Sequence, residues 1–536
     1  MRTAEIVLGL LVLASAVASF AGKLRIPAPS LLVLAGLAVG LLPGVPAVHV
    51  TPELVSLVVL PPLLYAAAVD VVITDLRVVL RPVAVLAVGL VVASAVAVAF
   101  VAHGLAPEIT VQVGLVLGAV LASTDPVAVS ALARSLRLPP RLLALVQGES
   151  LLNDATSLLL FRVVVAGVVA GHLAGPVTFS LRFLGLGVGG AAVGIVIAFL
   201  VRQLHERTDD VVIDGVISLI APYAMFVAAE VAHTSGVTAV VFGGLYLGPR
   251  RFQMLRGPAR LQIAHIYDVL VFLLESAVFA IIGLELPGLV RALPTNQHNF
   301  VLVALVVTAT LLAARIVWVT GATFLPGLLE ASDGQAVARR RSRVVAVTSW
   351  AGTRGVVPLA AALSIPVTTR AGLPFPHRDL LLVLAATSTA TTLVVQGLTL
   401  GPVVRRAGLV RDPDLHGREE ALARHAAVAA AVERLEEMHD LEAASPAAVD
   451  WLRREFRDRL ERAEGILRAV EFSETDIEPA ATAATRQEMR SLRRELIAVE
   501  SARLHELVAR GVISEAVRRK VQRMLDFEEA RSSDDS

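Results

Sequence analysis

Cysteine is absent from this 536-residue chain, and lysine occurs only at Lys23 and Lys520. Without a thiol there are no disulfides, no thiolate metal sites and no cysteine nucleophile. Charge is scarce too. Asp, Glu, Lys and Arg make up 18% of the residues, against about 25% in ordinary soluble domains. Apolar residues supply 55% of the chain, and the mean hydropathy is +0.71. They come in long runs, among them 31–42, 83–102 and 301–314, none of which holds a charge. Repeated stretches of about 20 apolar residues mark a polytopic helical membrane protein. A soluble enzyme, a disordered chain and a nucleic-acid binder are excluded.

The net charge of +1 conceals a division. Residues 1–405 carry 26 basic and 19 acidic residues, whereas 406–536 carry 22 and 28. The first segment reads as a transmembrane domain and the second as a charged helical tail, cytoplasmic and regulatory in expectation. Within the tail, interleaved Arg and Glu at helical spacing over 421–442, 450–469 and 486–510 predict amphipathic helices packed on one another.

Hydropathy with Pro, Gly and charge punctuation predicts about thirteen spans. They lie near 4–22, 29–46, 53–73, 82–104, 110–133, 141–170, 177–201, 211–231, 236–249, 263–290, 299–325, 343–366 and 379–404. Basic residues gather in alternate loops: Lys23 and Arg25; Arg77 and Arg81; Arg134, Arg137 and Arg141; Arg202 and Arg207; Arg250, Arg251, Arg256 and Arg260; Arg339, Arg340, Arg341 and Arg343; Arg405 and Arg406. The positive-inside rule then places the N-terminus outside and the tail in the cytoplasm.

A charge at mid-bilayer costs about 2.5–3.5 kcal/mol on insertion scales, which makes each one a functional candidate. Asp125, Glu149, Asp154, Glu275, Arg315 and Arg354 lie inside spans, and Asp70 and Glu230 lie nearer span ends. Charges such as Glu230, Glu285 and Arg315 are expected to snorkel or pair locally. Three clusters stand out. In Ala122-Ser123-Thr124-Asp125-Pro126 a proline breaks an apolar span, freeing carbonyls that are tolerated only where they line a cavity or meet a ligand. In Gly148-Glu149-Ser150-Leu151-Leu152-Asn153-Asp154, Ser150 and Asp154 share one helix face and Glu149 and Asn153 another. Such hydroxyl, amide and carboxylate oxygens suit a small alkali cation. In Gly352-Thr353-Arg354-Gly355-Val356-Val357-Pro358 a second span breaks around one arginine. A pair of broken helices, one in each half, points to the binding site of an inverted-repeat secondary transporter. Arg354 needs a carboxylate, and Glu149 is the expected partner, as a structural ion pair.

These blocks resemble the monovalent cation/proton antiporters of the first family, which include the sodium/proton exchangers and the NhaP-type antiporters. Leu60-Pro61-Pro62-Leu63-Leu64-Tyr65 is similar to the family's third-span motif, and 272–283 to the segment where exchangers place Glu or Asn eight residues before a Gly. The resemblance covers 1–405. It implies an all-α, polytopic NhaA/NhaP-like fold of 13 helices with inverted repeats and two broken crossing helices. It also implies a homodimer in the cell membrane, working by elevator-like alternating access. By position, Asp154 would bind cation or proton, with Asp125, Ser150 and the Thr124 carbonyl completing a Na+ shell. Glu275 would be accessory. Asn153 before Asp154 is similar to the electroneutral members.

One position departs: an acid usual after the Leu-Leu-Tyr stretch is replaced by Ala66, and Asp70, one turn on, is the candidate substitute. The implied function is exchange of Na+ (or Li+ or K+) for H+, with no enzyme activity, no cofactor and no nucleic-acid partner. The alternatives are a K+/H+ antiporter and a cation channel; channels build pores from repeated loops or symmetric rings, whereas here unlike acids sit on different helices.

Overall fold

The structure, a computed structural model, describes residues 28–42, 51–73, 76, 79–125, 140–208, 210–294, 299–329, 335–408, 413–440, 450, 452–461, 464–465 and 510. The expected first span near 4–22, Lys23, Arg25, Arg77, Arg134, Arg137 and the tail helix over 486–510 lie outside the described residues. The chain divides into two compact units, 1–411 and 412–536.

In the first unit the helices are α1 (Ala28–Gly40), α2 (Pro52–Val69), α3 (Leu80–Leu105), α4 (Val111–Ala122), α5 (Pro140–Ala170), α6 (Pro176–His205) and α7 (Val211–Val231). They continue with α8 (Gly236–Leu247), α9 (Gly257–Ala292), α10 (Phe300–Leu329), α11 (Gln335–Trp350), α12 (Val356–Leu363) and α13 (Arg378–Ala407). Among the described residues, eight helices are long and apolar enough to cross a membrane. Helix starts are fixed by side-chain caps. The Thr110 hydroxyl accepts from the Val113 amide at 3.4 Å, Asp210 from Val212 at 2.7 Å, and Ser235 from Thr238 at 3.3 Å, each satisfying an orphan donor of a first turn.

Two packing groups emerge. In one, α3, α4, α5 and α10–α13 surround the interrupted helices. In the other, α6, α7 and α8 pack on one another, with α7 and α8 also on α2, while α9 packs along α1 and touches α7 and α2 as well as α12 and α13 of the first group. Small residues let the backbones close up, as membrane helices require in the absence of a hydrophobic force between them. A methyl group at Gly118 would strike the backbone of Ala95, and one at Gly194 the backbone of Ala239. The outer face of α6 carries exposed Val177, Leu181, Leu184 and Val188, the apolar surface that a bilayer demands. Within α3 the turn over Val85–Leu90 is of π type, and Trp318 of α10 donates its Nε1 to the Val85 carbonyl at 3.2 Å.

Two of the expected spans are interrupted, as Pro and Gly predict. The span expected over 110–133 is helical over Val111–Ala122 and non-helical over 123–125, and 126–133 lie outside the described residues. The span expected over 343–366 is divided into α11 and α12 by the non-helical stretch 351–355.

The second unit contains α14 (Pro413–Asp440) and a helical stretch over 452–461. Arg453 bridges them with a two-pronged bond to Glu436 at 2.8 and 2.5 Å.

Candidate ion-exchange site

The two interruptions touch. The Asp125 amide donates to the Thr353 carbonyl at 2.7 Å, and the Thr353 hydroxyl donates back to the Asp125 carbonyl at 2.9 Å. Gly355 makes this approach possible, because a β-carbon there would overlap the Asp125 carboxylate. Gly352 is needed in the same way, since a β-carbon would meet the Arg315 side chain 2.6 Å from its Cδ.

Each interrupted helix ends on orphan carbonyls, and each end receives an arginine. Pro126 has no N–H to offer Ala122 one turn back. Arg354 takes its place, donating Nη1 to the Ala122 carbonyl at 2.6 Å and to the Ser123 carbonyl at 2.7 Å. At the end of α11, Arg315 donates Nε and Nη2 to the Thr348 carbonyl at 3.1 and 3.0 Å. A cation at a helix C-terminus also meets the negative end of the macrodipole.

Glu149, expected to pair with Arg354, is therefore paired with a different arginine. Arg315 grips Glu149 through Nη1–Oε1 at 2.5 Å and Nη2–Oε2 at 2.8 Å, with both side chains almost wholly buried. Arg315 was expected to snorkel or pair locally; it pairs, but with a residue 166 positions away, and is only 2% exposed. Arg354, 3% exposed, is turned to the carbonyls of the first break instead.

Asp154 lies on α5 opposite the first break. Ser123 donates its hydroxyl to Asp154 Oδ1. The neighbouring turn of α5 is tied to the same stretch: Ser150 donates to the Thr124 carbonyl at 2.5 Å, and Asn153 Nδ2 to the Thr124 hydroxyl at 3.0 Å. Asn153 Oδ1 is buried and has no hydrogen-bond partner. The structure thus gathers Asp154, Thr124, Ser150 and Asn153, and adds Ser123, which the motif reading passed over although it sits inside Ala-Ser-Thr-Asp-Pro.

A cavity of about 790 Å³ opens onto this cluster. Asp125, Asp154 and Ser150 line one wall, and Glu275 and Tyr267 of α9 line it too. Asp70 does not join the carboxylates as the substitute for the acid missing at Ala66. Helix α2 ends at Val69, so Asp70 is its C-terminal cap, 75% exposed at the side chain and bonded to Arg251 at 3.0 Å on the cavity's edge.

The profile of the family described as "Sodium/hydrogen exchanger, transmembrane" matches residues 9–406. The chain belongs to this family of monovalent cation/proton antiporters. It is therefore an integral membrane transporter and not an enzyme. An uncharacterized Na(+)/H(+) exchanger of Mycobacterium tuberculosis is 34% identical, over 99% of this chain and 97% of that one. The Na(+)/H(+) antiporter ApNhaP of Aphanothece halophytica is 31% identical over 72% and 71% of the two chains. The sodium, potassium, lithium and rubidium/H(+) antiporter of Bacillus pumilus is 31% identical over 74% of this chain and 61% of its own. Among solved structures, the sodium proton antiporter MjNhaP1 from Methanocaldococcus jannaschii superposes with a TM-score of 0.62 at 20% identity. That match covers 77% of this chain and all of the other. The family's fold is shared.

Proposed function

We propose that this exchanger swaps one Na+ for one H+, with the two competing for Asp154. The observation that carries this reading is the oxygen cluster at the cavity. Asp154 is buried beside Ser123, Ser150, Thr124 and Asn153, and the cavity gives it an open approach. A bare carboxylate in a low-dielectric setting is costly, and either a proton or an alkali cation removes that cost. The unpartnered Asn153 oxygen is a ready neutral ligand for a hard cation.

Charge counting supports a single exchanged unit. Written as ionised groups, Glu149 cancels Arg315, while Arg354 offsets one of Asp125 and Asp154. One carboxylate charge remains at the break, Glu275 on the facing cavity wall being counted as neutral, and one monovalent cation or one proton neutralises it. The loaded cluster then crosses the membrane at lower cost than the empty one, which forbids leak and enforces antiport. Na+ is the favoured cation because the donors are hard and compact, with K+ and Li+ as the competing substrates. The Bacillus pumilus relative, whose name includes potassium, lithium and rubidium, makes them the ones to assay alongside.

The remaining parts of the reading are thirteen spans, an external N-terminus, a cytoplasmic tail and a homodimer. The physiological role is pH and sodium homeostasis at the cell membrane. Proteoliposomes loaded with a pH-sensitive dye test the exchange. A Na+ gradient should drive proton movement that is unchanged when K+ and valinomycin clamp the voltage. Proton movement that follows the imposed voltage without a cation gradient would replace this reading by a channel.

A further inference from the structure

A second arginine–carboxylate pair lies apart from the ion cluster and joins the two packing groups. Arg162 is on α5, eight residues beyond Asp154 and hence about 12 Å further along the helix. Its guanidinium enters the corner between α7 and α8. Nη1 meets Glu230 Oε1, Nη2 meets Glu230 Oε2 at 2.8 Å, and Nη1 also meets the Thr234 carbonyl at 2.9 Å. The Gly236 amide, at the start of α8, donates to Glu230 Oε1 at 3.2 Å, so the acceptor is held by its own corner. The pair is about a third exposed, so it is neither a free surface contact nor a sealed core bond (37% for each side chain).

Its position relative to the cavity gives it meaning. On α5 the cavity touches Gln147, Ser150, Leu151 and Asp154 and nothing beyond. On α7 it touches Ser218, three turns before Glu230. The open approach to Asp154 therefore comes from one end of the helices, and Arg162–Glu230 lies at the other. Between them on the same face of α5 stands Leu158, 4% exposed.

We infer that Arg162 is a gate-positioning residue: its fork on Glu230 and Thr234 holds the ion-carrying helix α5 against the α7–α8 corner and keeps the far side of Asp154 closed. The bond has to open for the site to face that side. Resting on the exchange reading for its purpose, the latch itself is a matter of which face water reaches, and labelling measures that without any ion movement. A bidentate guanidinium–carboxylate bond suits the task. It is directional, so it marks one arrangement of the two groups, and its two ends are rehydrated when they part.

The chain's lack of cysteine provides the test. Leu158→Cys reports access from the Arg162 side, and Val271→Cys, in the cavity wall, reports access from the other. Each is reacted with a membrane-impermeant maleimide applied to the face of oriented proteoliposomes that it reports. Arg162→Gln and Glu230→Gln should each raise Leu158→Cys labelling roughly fivefold or more and lower Val271→Cys labelling, as a shifted two-state population requires. The charge exchange Arg162→Glu with Glu230→Arg should restore both rates. Unchanged labelling of Leu158→Cys in well-folded Arg162→Gln would overturn the proposal. So would a rise at both reporters, which signifies general loosening. Loss of exchange in every variant with the labelling shift intact would instead strike at the exchange reading.

Discussion

Glu149 and Arg315 are 166 positions apart in sequence and form a buried, two-pronged ion pair whose arginine also caps the end of α11. The pair ties the helix that carries Asp154 to the second interrupted helix. It leaves Arg354 to satisfy the first.

Removing one partner of this pair should be severe. Breaking a buried ion pair costs about 3–5 kcal/mol because the survivor stays charged in a dry place. Arg315→Gln and Glu149→Gln should each lower the detergent melting temperature sharply. The double variant Glu149→Gln with Arg315→Gln should lose less than the two single losses added together. Reversing Glu149 and Arg354 together should rescue nothing, whereas reversing Glu149 and Arg315 should recover part of the stability.

Asp154→Asn should fold, insert and bind neither substrate of the exchange, so that Na+-driven proton movement falls to the level of empty vesicles. In the unaltered protein, one group serving both ions makes them strict competitors. Where the proton dominates, the apparent KM for Na+ should rise about tenfold for each pH unit lost. The maximal rate at saturating Na+ should hold. A pH-independent KM would argue against a shared site.

Gly355→Ala should displace the Asp125 carboxylate, because the new methyl group claims the same space. The expected result is a KM for Na+ raised by about tenfold or more, near 1.4 kcal/mol of binding, together with a lowered melting temperature, because the overlap reaches the Asp125 Cβ and pushes the two interruptions apart. Gly352→Ala should act through a different partner: its methyl group meets Arg315, so the Glu149–Arg315 pair is disturbed and stability falls along with exchange.

Asn153→Asp adds a carboxylate next to Asp154 and leaves the cluster one negative charge beyond what a single cation neutralises. Exchange by this variant should become sensitive to the valinomycin clamp, read as a change in rate when an inside-negative potential is imposed. Voltage-independent exchange would show that the count of buried charges does not set the stoichiometry.

Much of the site was legible because a membrane makes errors of composition conspicuous. Asp125, Asp154 and the glycines around Arg354 are conspicuous in apolar runs, and each lies at or beside a break or the buried cluster. The partner of Glu149 was not legible. Two arginines lay at similar depth, and the choice between them depends on how distant helices cross, which no local spacing encodes. Asp70 misled for a local reason. It shares a face with Ala66 only while the helix continues, and α2 stops one residue earlier. Ser123 was passed over because a serine beside Thr-Asp-Pro carries no charge to draw attention, although its hydroxyl is the one that reaches Asp154.

The caps on the two broken helices also bear on biosynthesis. The carbonyl of Ala122 waits for a donor that is 232 residues away in the chain. A ribosome making this protein delivers the first half to the bilayer long before Arg354 exists, with backbone acceptors that lipid cannot satisfy. The early half is thus committed to an unfinished state while 232 further residues are made, sheltered by the insertion machinery or by water. A chain stopped just short of residue 354 should be cleared by membrane proteases, whereas one carried through α13 should accumulate.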